Sequence, residues 1–192
     1  MFSGVYQSIA LLGIISIFYL IDFMFIRHYD SRRQDSRTGR AWDFTLMAFV
    51  FVIVLVLQPV FLPWLGITTN APWEQVLQAA GVLLAISALA LHVWARMHLQ
   101  QFYAERVEVQ AGHRIVTTGP YARIRHPVIT SFFGLVIAMF MIDPAVTTLL
   151  LMLYTYFNFS QAAKDEEKLL SQHFPEYVSY NSVIYCIIVL RQ

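Results

Sequence analysis

The chain has 192 residues, of which 58% are hydrophobic and only 13% charged, with a mean hydropathy of +0.57. Soluble domains are roughly 45–50% apolar and about 25% charged, so this composition excludes a disordered chain, a nucleic-acid binder and an ordinary soluble enzyme. A net charge of +1 gives no bulk field to steer an acidic partner, and Cys186, alone in the chain, excludes an internal disulfide framework.

A bilayer core about 30 Å thick is crossed by about 20 apolar residues in helical form. In chain order, Val5–Ile26, Phe44–Gly66 and Val76–Ala95 reach that length. The first has no basic segment ahead of it and no small-x-small cleavage site, so it is read as a retained helix. Val128–Ile142 and Ala145–Phe159 are shorter, and Asp143-Pro144 between them reads as a tight turn. Each short arm rises only about 23 Å as a helix, so the hairpin must thin the bilayer or borrow polar flanks. Ser182–Leu190 is too short to span and is expected on or against the bundle, as a cytosolic C-terminal helix. The expected fold is all-α: an integral-membrane helical bundle with about five transmembrane helices, the last two a short hairpin.

Of the 13 Lys and Arg residues, five lie between Arg27 and Arg40, five between Arg96 and Arg125, and the rest are Lys164, Lys168 and Arg191. Five crossings bring all three groups to one face, which the positive-inside rule makes cytoplasmic. The N-terminus is then outside and the C-terminus cytosolic, in a bacterial or archaeal inner membrane or the endoplasmic reticulum. The outer connections are short, so binding chemistry is expected inside. There, Arg27–Asp43 reads as a segment that meets anionic headgroups. Arg96–Pro127 and Ala162–Tyr180 are mixed in character, and a site is expected where they meet.

Within Gly119-Pro120-Tyr121-Ala122-Arg123-Ile124-Arg125-His126-Pro127, Gly119-Pro120 sets a turn. Pro127 suits the first turn of a helix, which places His126 at or beside its N-cap. Unpaired N–H groups of a first turn favour an anion. Arg123 and Arg125 add cationic donors that can grip a carboxylate through two bonds. Tyr121 and His126 offer flat faces to a ring or a sulfonium cation. These residues suit a zwitterionic, ring-bearing small molecule. Singly, each also fits a plain membrane-surface role, as a turn or a snorkelling cation. Asp165-Glu166-Glu167 lies on the same face, and because successive helix positions turn by about 100°, one carboxylate is expected to face the motif and the others water. Lys164 and Lys168 stand at pairing distance along a helix.

Other site types are poorly served. His92 and His98 lie off a shared face, which does not make a zinc site, and no metal is expected. There is no P-loop or GxGxxG. His92, at membrane depth, leaves open a non-enzymatic haem-, quinone- or lipid-binding protein.

Ile115-Val116-Thr117-Thr118-Gly119-Pro120-Tyr121 running into Arg125-His126-Pro127 resembles the GPY…RHP signature of the integral-membrane methyltransferases, the isoprenylcysteine carboxyl methyltransferases and phospholipid methyltransferases. Glu166-Glu167 resembles the family's Glu pair, and Phe174-Pro175-Glu176-Tyr177 with Tyr180 its FGxEY…Y tail. Ile129 stands where the family has an aromatic, Leu99-Gln100 where it has Leu-Gly, and Pro175 where it has Gly. The resemblance, over Arg96–Tyr185, implies transfer of a methyl group from S-adenosylmethionine, with S-adenosylhomocysteine as product. It divides the chain into three N-terminal transmembrane helices (1–95) and a methyltransferase core (96–192). It implies a cofactor site of Val116, Gly119, Tyr121, Arg125, His126, Pro127, Glu166 and Glu167, with Arg125, Glu167 and Arg96 as catalytic residues.

The implied acceptor is lipophilic and enters from the membrane lipids: an isoprenylcysteine-like carboxylate, or a lipid amine or thiol. No nucleic acid is implied. A carboxylate needs no base, whereas an amine must first lose a proton, to Glu166, Glu167 or His126; Arg96 or Arg125 would position an anionic acceptor. Membrane sterol reductases resemble this fold but are longer. An inactive family member is the remaining alternative.

Overall fold

The computed structural model describes residues 4–29, 52–67, 71–100 and 116–173. Five helices run through them in chain order: α1 (Gly4–Tyr29), α2 (Val52–Phe61), α3 (Trp73–Leu99), α4 (Pro127–Ile142) and α5 (Val146–His173). Two stretches, Gly4–His28 and Trp73–Leu99, are long and apolar enough to cross a membrane, with hydropathies of 2.5 and 2.1, and Val52–Phe61 and Pro127–Ile142 are shorter apolar helices. The expected all-α architecture holds. The expected C-terminal helix and the Phe174–Tyr180 tail lie outside the described residues, as do 30–51 and 101–115.

Two elements depart from the hydropathy reading. The second apolar run continues to Gly66, but its helix stops at Phe61 and a 3₁₀ turn, Pro63–Leu65, follows. Pro63 has no N–H to donate and disfavours helical backbone in the residue before it, and Leu62 adopts φ −129°, ψ 51°. The fifth apolar run ends at Phe159, yet α5 continues to His173. The residues beyond Phe159 are good helix formers without Gly or Pro, so Asp165, Glu166 and Glu167 lie inside this helix rather than after it.

The chain forms two compact units. One consists of Met1–Ala85 with Val136–Met152. Its core packs Leu11 of α1 and Leu55 of α2 with Met139 of α4. α1 exposes Val5, Ile9, Leu12, Leu20 and Phe23, an apolar surface that suits lipid. The turn between α4 and α5 is held from several sides. Gln7 Nε2 and Gln78 Nε2 both donate to the carbonyl of Ile142, at 3.2 and 3.4 Å. The Ile67 N–H donates to the Pro144 carbonyl at 2.7 Å. Thr148 Oγ1 accepts from the Ala145 N–H at 3.1 Å and reaches the Asp143 carbonyl at 2.8 Å. These bonds satisfy helix-end groups that have no intrahelical partner. On α3, a β-carbon at Gly81 would lie 2.9 Å from Met141 Cβ, so the missing side chain lets α3 and α4 approach closely.

The other unit consists of Ile86–Leu135 with Leu153–Gln192. Its core joins Ala95 of α3, Tyr121 and Val128, with Leu99, Val116 and Phe132 packed around them. A β-carbon at Gly134 would lie 2.9 Å from Ala88 Cβ, the small-residue contact by which membrane helices approach. Phe132 stacks on Phe159 with centroids 5.1 Å apart.

Candidate active site

The second unit holds the signature. Gly119 has φ +60°, a left-handed conformation that favours glycine, and it opens the 3₁₀ turn Gly119–Ala122. The turn closes through Tyr121 N–H to the Thr118 carbonyl at 3.2 Å and Ile124 N–H to the Pro120 carbonyl at 2.9 Å. Pro120 and Tyr121 are buried, and Tyr121 belongs to the core with Ala95 and Val128. Val116 packs against the same cluster. Pro127 is fully buried as the first residue of α4. The His126 carbonyl accepts the Thr130 N–H at 2.9 Å, so His126 caps the helix as its sequence position suggested.

α5 carries both glutamates to this cap. His126 Nδ1 lies 3.0 Å from Glu166 Oε2 and Nε2 lies 3.1 Å from Glu167 Oε1, while Arg125 donates to the same Glu167 oxygen at 3.4 Å. The expectation that one carboxylate would face the motif is corrected: two do. Adjacent positions on a helix diverge by about 100°, but the two imidazole nitrogens point in different directions, and each carboxylate reaches one. Asp165 is exposed and accepts from Gln161 at 3.0 Å.

Carboxylates accept but do not donate, so both ring nitrogens of His126 carry protons and the ring is an imidazolium. Burial works against that charge. The hydrogen bonds and charges of Glu166 and Glu167 outweigh it, and the pKa of His126 is raised to about 9. The bond from His126 holds the Glu167 carboxyl below its ordinary range, with Arg125 adding to the effect against burial. An imidazolium bound at both nitrogens has no lone pair, so it does not serve as the base that an amine acceptor needs. Two cations facing two anions form a charge-balanced set; the Glu167 side chain is 19% exposed and that of Glu166 45%.

Arg96 is buried on α3, next to Ala95 of the core and four residues beyond the fully buried His92. Ser131 Oγ donates to the Val128 carbonyl at 2.6 Å and so accepts from His92 Nδ1 at 3.0 Å. The ring of Phe132 meets His92 edge to face, with centroids 5.6 Å apart.

One neighbour of the signature went unnoticed in the sequence. His98, in the last turn of α3, lies against Gly119, where a β-carbon would collide with its ring. The only hint in the sequence is the short distance from His98 to Leu99-Gln100.

Among the described residues, no group of three or more His, Cys, Asp or Glu side chains is arranged to hold a metal ion.

Residues 81–172 match the model of the isoprenylcysteine carboxyl methyltransferase (ICMT) family. The structure of the eukaryotic intramembrane Ras methyltransferase ICMT, determined without a monobody, is similar at a TM-score of 0.66 and 22% identity, over 96% of this chain and 71% of that one. At that identity the likeness speaks for the fold. No curated protein matches the chain. The matched segment contains the Gly119–Pro127 signature, the Glu pair and the contacts between them, and over that segment the chain is similar to the isoprenylcysteine carboxyl methyltransferase family.

Proposed function

We propose that the protein is an integral-membrane methyltransferase that uses S-adenosylmethionine to methylate a lipophilic acceptor at the cytosolic face, with its N-terminus outside. The observation that carries this reading is the set Arg125, His126, Glu166 and Glu167, which joins the start of α4 to α5 through bonds of 3.0–3.4 Å. A ligand with one carboxylate and one ammonium finds a partner for each there. At Gly119 the His98 ring occupies the place a β-carbon would take, so no larger residue fits the turn that leads to Arg125 and His126. The residues present therefore fit the cofactor.

Bound there, S-adenosylmethionine supplies a methyl group already activated on a sulfonium. The protein's share is alignment and exclusion of water. Holding two reactants in line is worth about 7–11 kcal/mol at best. Arg125 would grip the ligand carboxylate and Glu166 or Glu167 its ammonium, while Val116, Tyr121 and Pro127 supply apolar walls. Glu167, bonded to both Arg125 and His126, keeps those two cations in place. Arg96, buried on α3, is suited to orienting a polar head whose apolar tail stays in lipid. This assigns the chemistry to 96–192 and membrane anchoring chiefly to 1–95.

Titration of the purified, detergent-solubilised protein with S-adenosylhomocysteine by calorimetry tests the reading. Saturable binding that is weakened at least tenfold by His126→Ala is expected. Folded protein that does not bind would overturn it.

A further inference from the structure

The set Arg125, His126, Glu166 and Glu167 sums to zero charge only while the His126 ring holds both of its protons. Among the described residues, the ring bonds to Glu166 at Nδ1 and to Glu167 at Nε2, both from α5. On the ring's own segment, Arg125 shares Glu167 with it. From α3, the buried Arg96 follows Ala95, which packs with Tyr121 and Val128 beside the cap. The exposed Asp165 turns to Gln161 instead. The two carboxylates on the ring differ in access. The Glu166 side chain is 45% exposed, against 19% for Glu167 and 5% for His126. A ligand therefore reaches the set through Glu166. A carboxylate accepts on both oxygens, so Glu166 has capacity for an ammonium beside its bond to the ring.

The methyl donor and the spent product differ by one charge. Both carry an α-carboxylate and an α-ammonium, which offset each other. Only S-adenosylmethionine adds a sulfonium, on a short arm from the same α-carbon. Against a balanced set, that charge is an uncompensated cation in a partly buried place, where it is screened less than in water. Resting on the methyltransferase reading above, we propose that His126 is the residue that tells donor from product: it gives its Nδ1 proton to water when S-adenosylmethionine binds and keeps it with S-adenosylhomocysteine. A guanidinium holds its protons at any working pH, so Arg125 has no such option. The ring is charged across the neutral range in the fold, with a pKa of about 9, so the proton is there to be released. A like charge brought close disfavours an imidazolium. Nδ1 lets go because its partner is the exposed carboxylate, which gives the proton a path to water and turns to the ligand ammonium. Nε2 keeps its proton, and Glu167 stays bridged between it and Arg125. Methyl transfer removes the sulfonium charge, so His126 takes a proton back and the product-bound site is balanced again. The donor complex holds fewer protons than the product complex, so rising pH strengthens donor binding relative to product binding.

Calorimetry on the full chain in lipid nanodiscs, in buffers of different ionisation enthalpy, counts the protons exchanged on binding. At about pH 6.5, below the ordinary α-amino range, the ammonium groups of both ligands are charged. S-adenosylmethionine is expected to release up to about one proton more than S-adenosylhomocysteine. Sinefungin, which carries an ammonium in place of the sulfonium, is expected to match S-adenosylmethionine, because the charge and not the methyl group is the cause. The ratio of donor to product affinity should rise by up to about tenfold per pH unit between about pH 6 and 7.5. In His126→Gln the extra proton release and the pH dependence of that ratio are expected to vanish while binding persists. Equal proton exchange for donor and product in the wild type, or an extra release that survives in His126→Gln, would overturn the role of His126. A wild type that binds neither ligand would instead overturn the underlying reading.

Discussion

The imidazole of His126 donates from both nitrogens, a state it keeps only while charged. Its pKa is raised to about 9 in the fold against an ordinary 6.5. Its contribution is therefore complete below about pH 6.5 and fades as pH rises through about 9. A shift of that size corresponds to roughly 3 kcal/mol. Glu167 works in the other direction: its carboxyl is lowered, so its contribution is present above the ordinary carboxylate range and is lost only as acid protonates it in the fold. Thermal unfolding in detergent is expected to show a melting temperature that declines between about pH 6.5 and 9. His126→Gln should flatten that alkaline decline, and an unaltered decline in the variant would assign it to other groups.

The residue types of this site were legible in the sequence. The Gly-Pro turn, the Arg-His-Pro helix start and the Glu pair each have a reason to be there. The number of carboxylates that reach His126 was not legible, because a helical wheel gives directions of side chains and not their reach. The contact between His98 and Gly119 was hidden for another reason: it joins residues 21 positions apart through a packing that no local pattern encodes.

At the scale of elements, hydropathy located the apolar runs and misjudged two helix ends. It reads burial in lipid and not helix propensity. Hence α2 stops at Phe61, where proline chemistry intervenes, and α5 runs on past its apolar half. That extension matters, because it places Glu166 and Glu167 on a continuous helix whose angular spacing is fixed. Close approach of α3 and α4 depends on missing side chains. The position a β-carbon would take at Gly134 is 2.9 Å from Ala88 Cβ, tighter than van der Waals contact allows. Gly134→Leu is expected to lower stability by about 1–3 kcal/mol, the usual cost of overpacking, and to reduce S-adenosylhomocysteine affinity because α4 begins at the site. Chemical denaturation in detergent reads the first and calorimetry the second. Unchanged stability would mean that the helices separate at little cost.

For the whole molecule, composition alone indicated a membrane protein, and the described helices agree: α1 and α3 carry apolar stretches long enough to span, and α1 exposes large apolar side chains along its length. The proposed cytosolic placement of the signature rests on the distribution of Lys and Arg along the sequence, and it would put the site on the side where a water-soluble nucleotide cofactor is available. The acceptor was not legible, because an apolar binding surface made of Leu, Ile and Phe does not differ in composition from a lipid-facing helix. Sealed membrane vesicles that contain the protein, prepared in both orientations and given S-adenosylmethionine with a labelled methyl group together with native lipid extract, test site, cofactor and orientation at once. The expected result is label in the lipid fraction only when the cofactor reaches the face that carries Arg96–Arg125, and none with His126→Ala. Vesicles holding folded protein that transfer no label from either face would contradict methyl transfer by this chain.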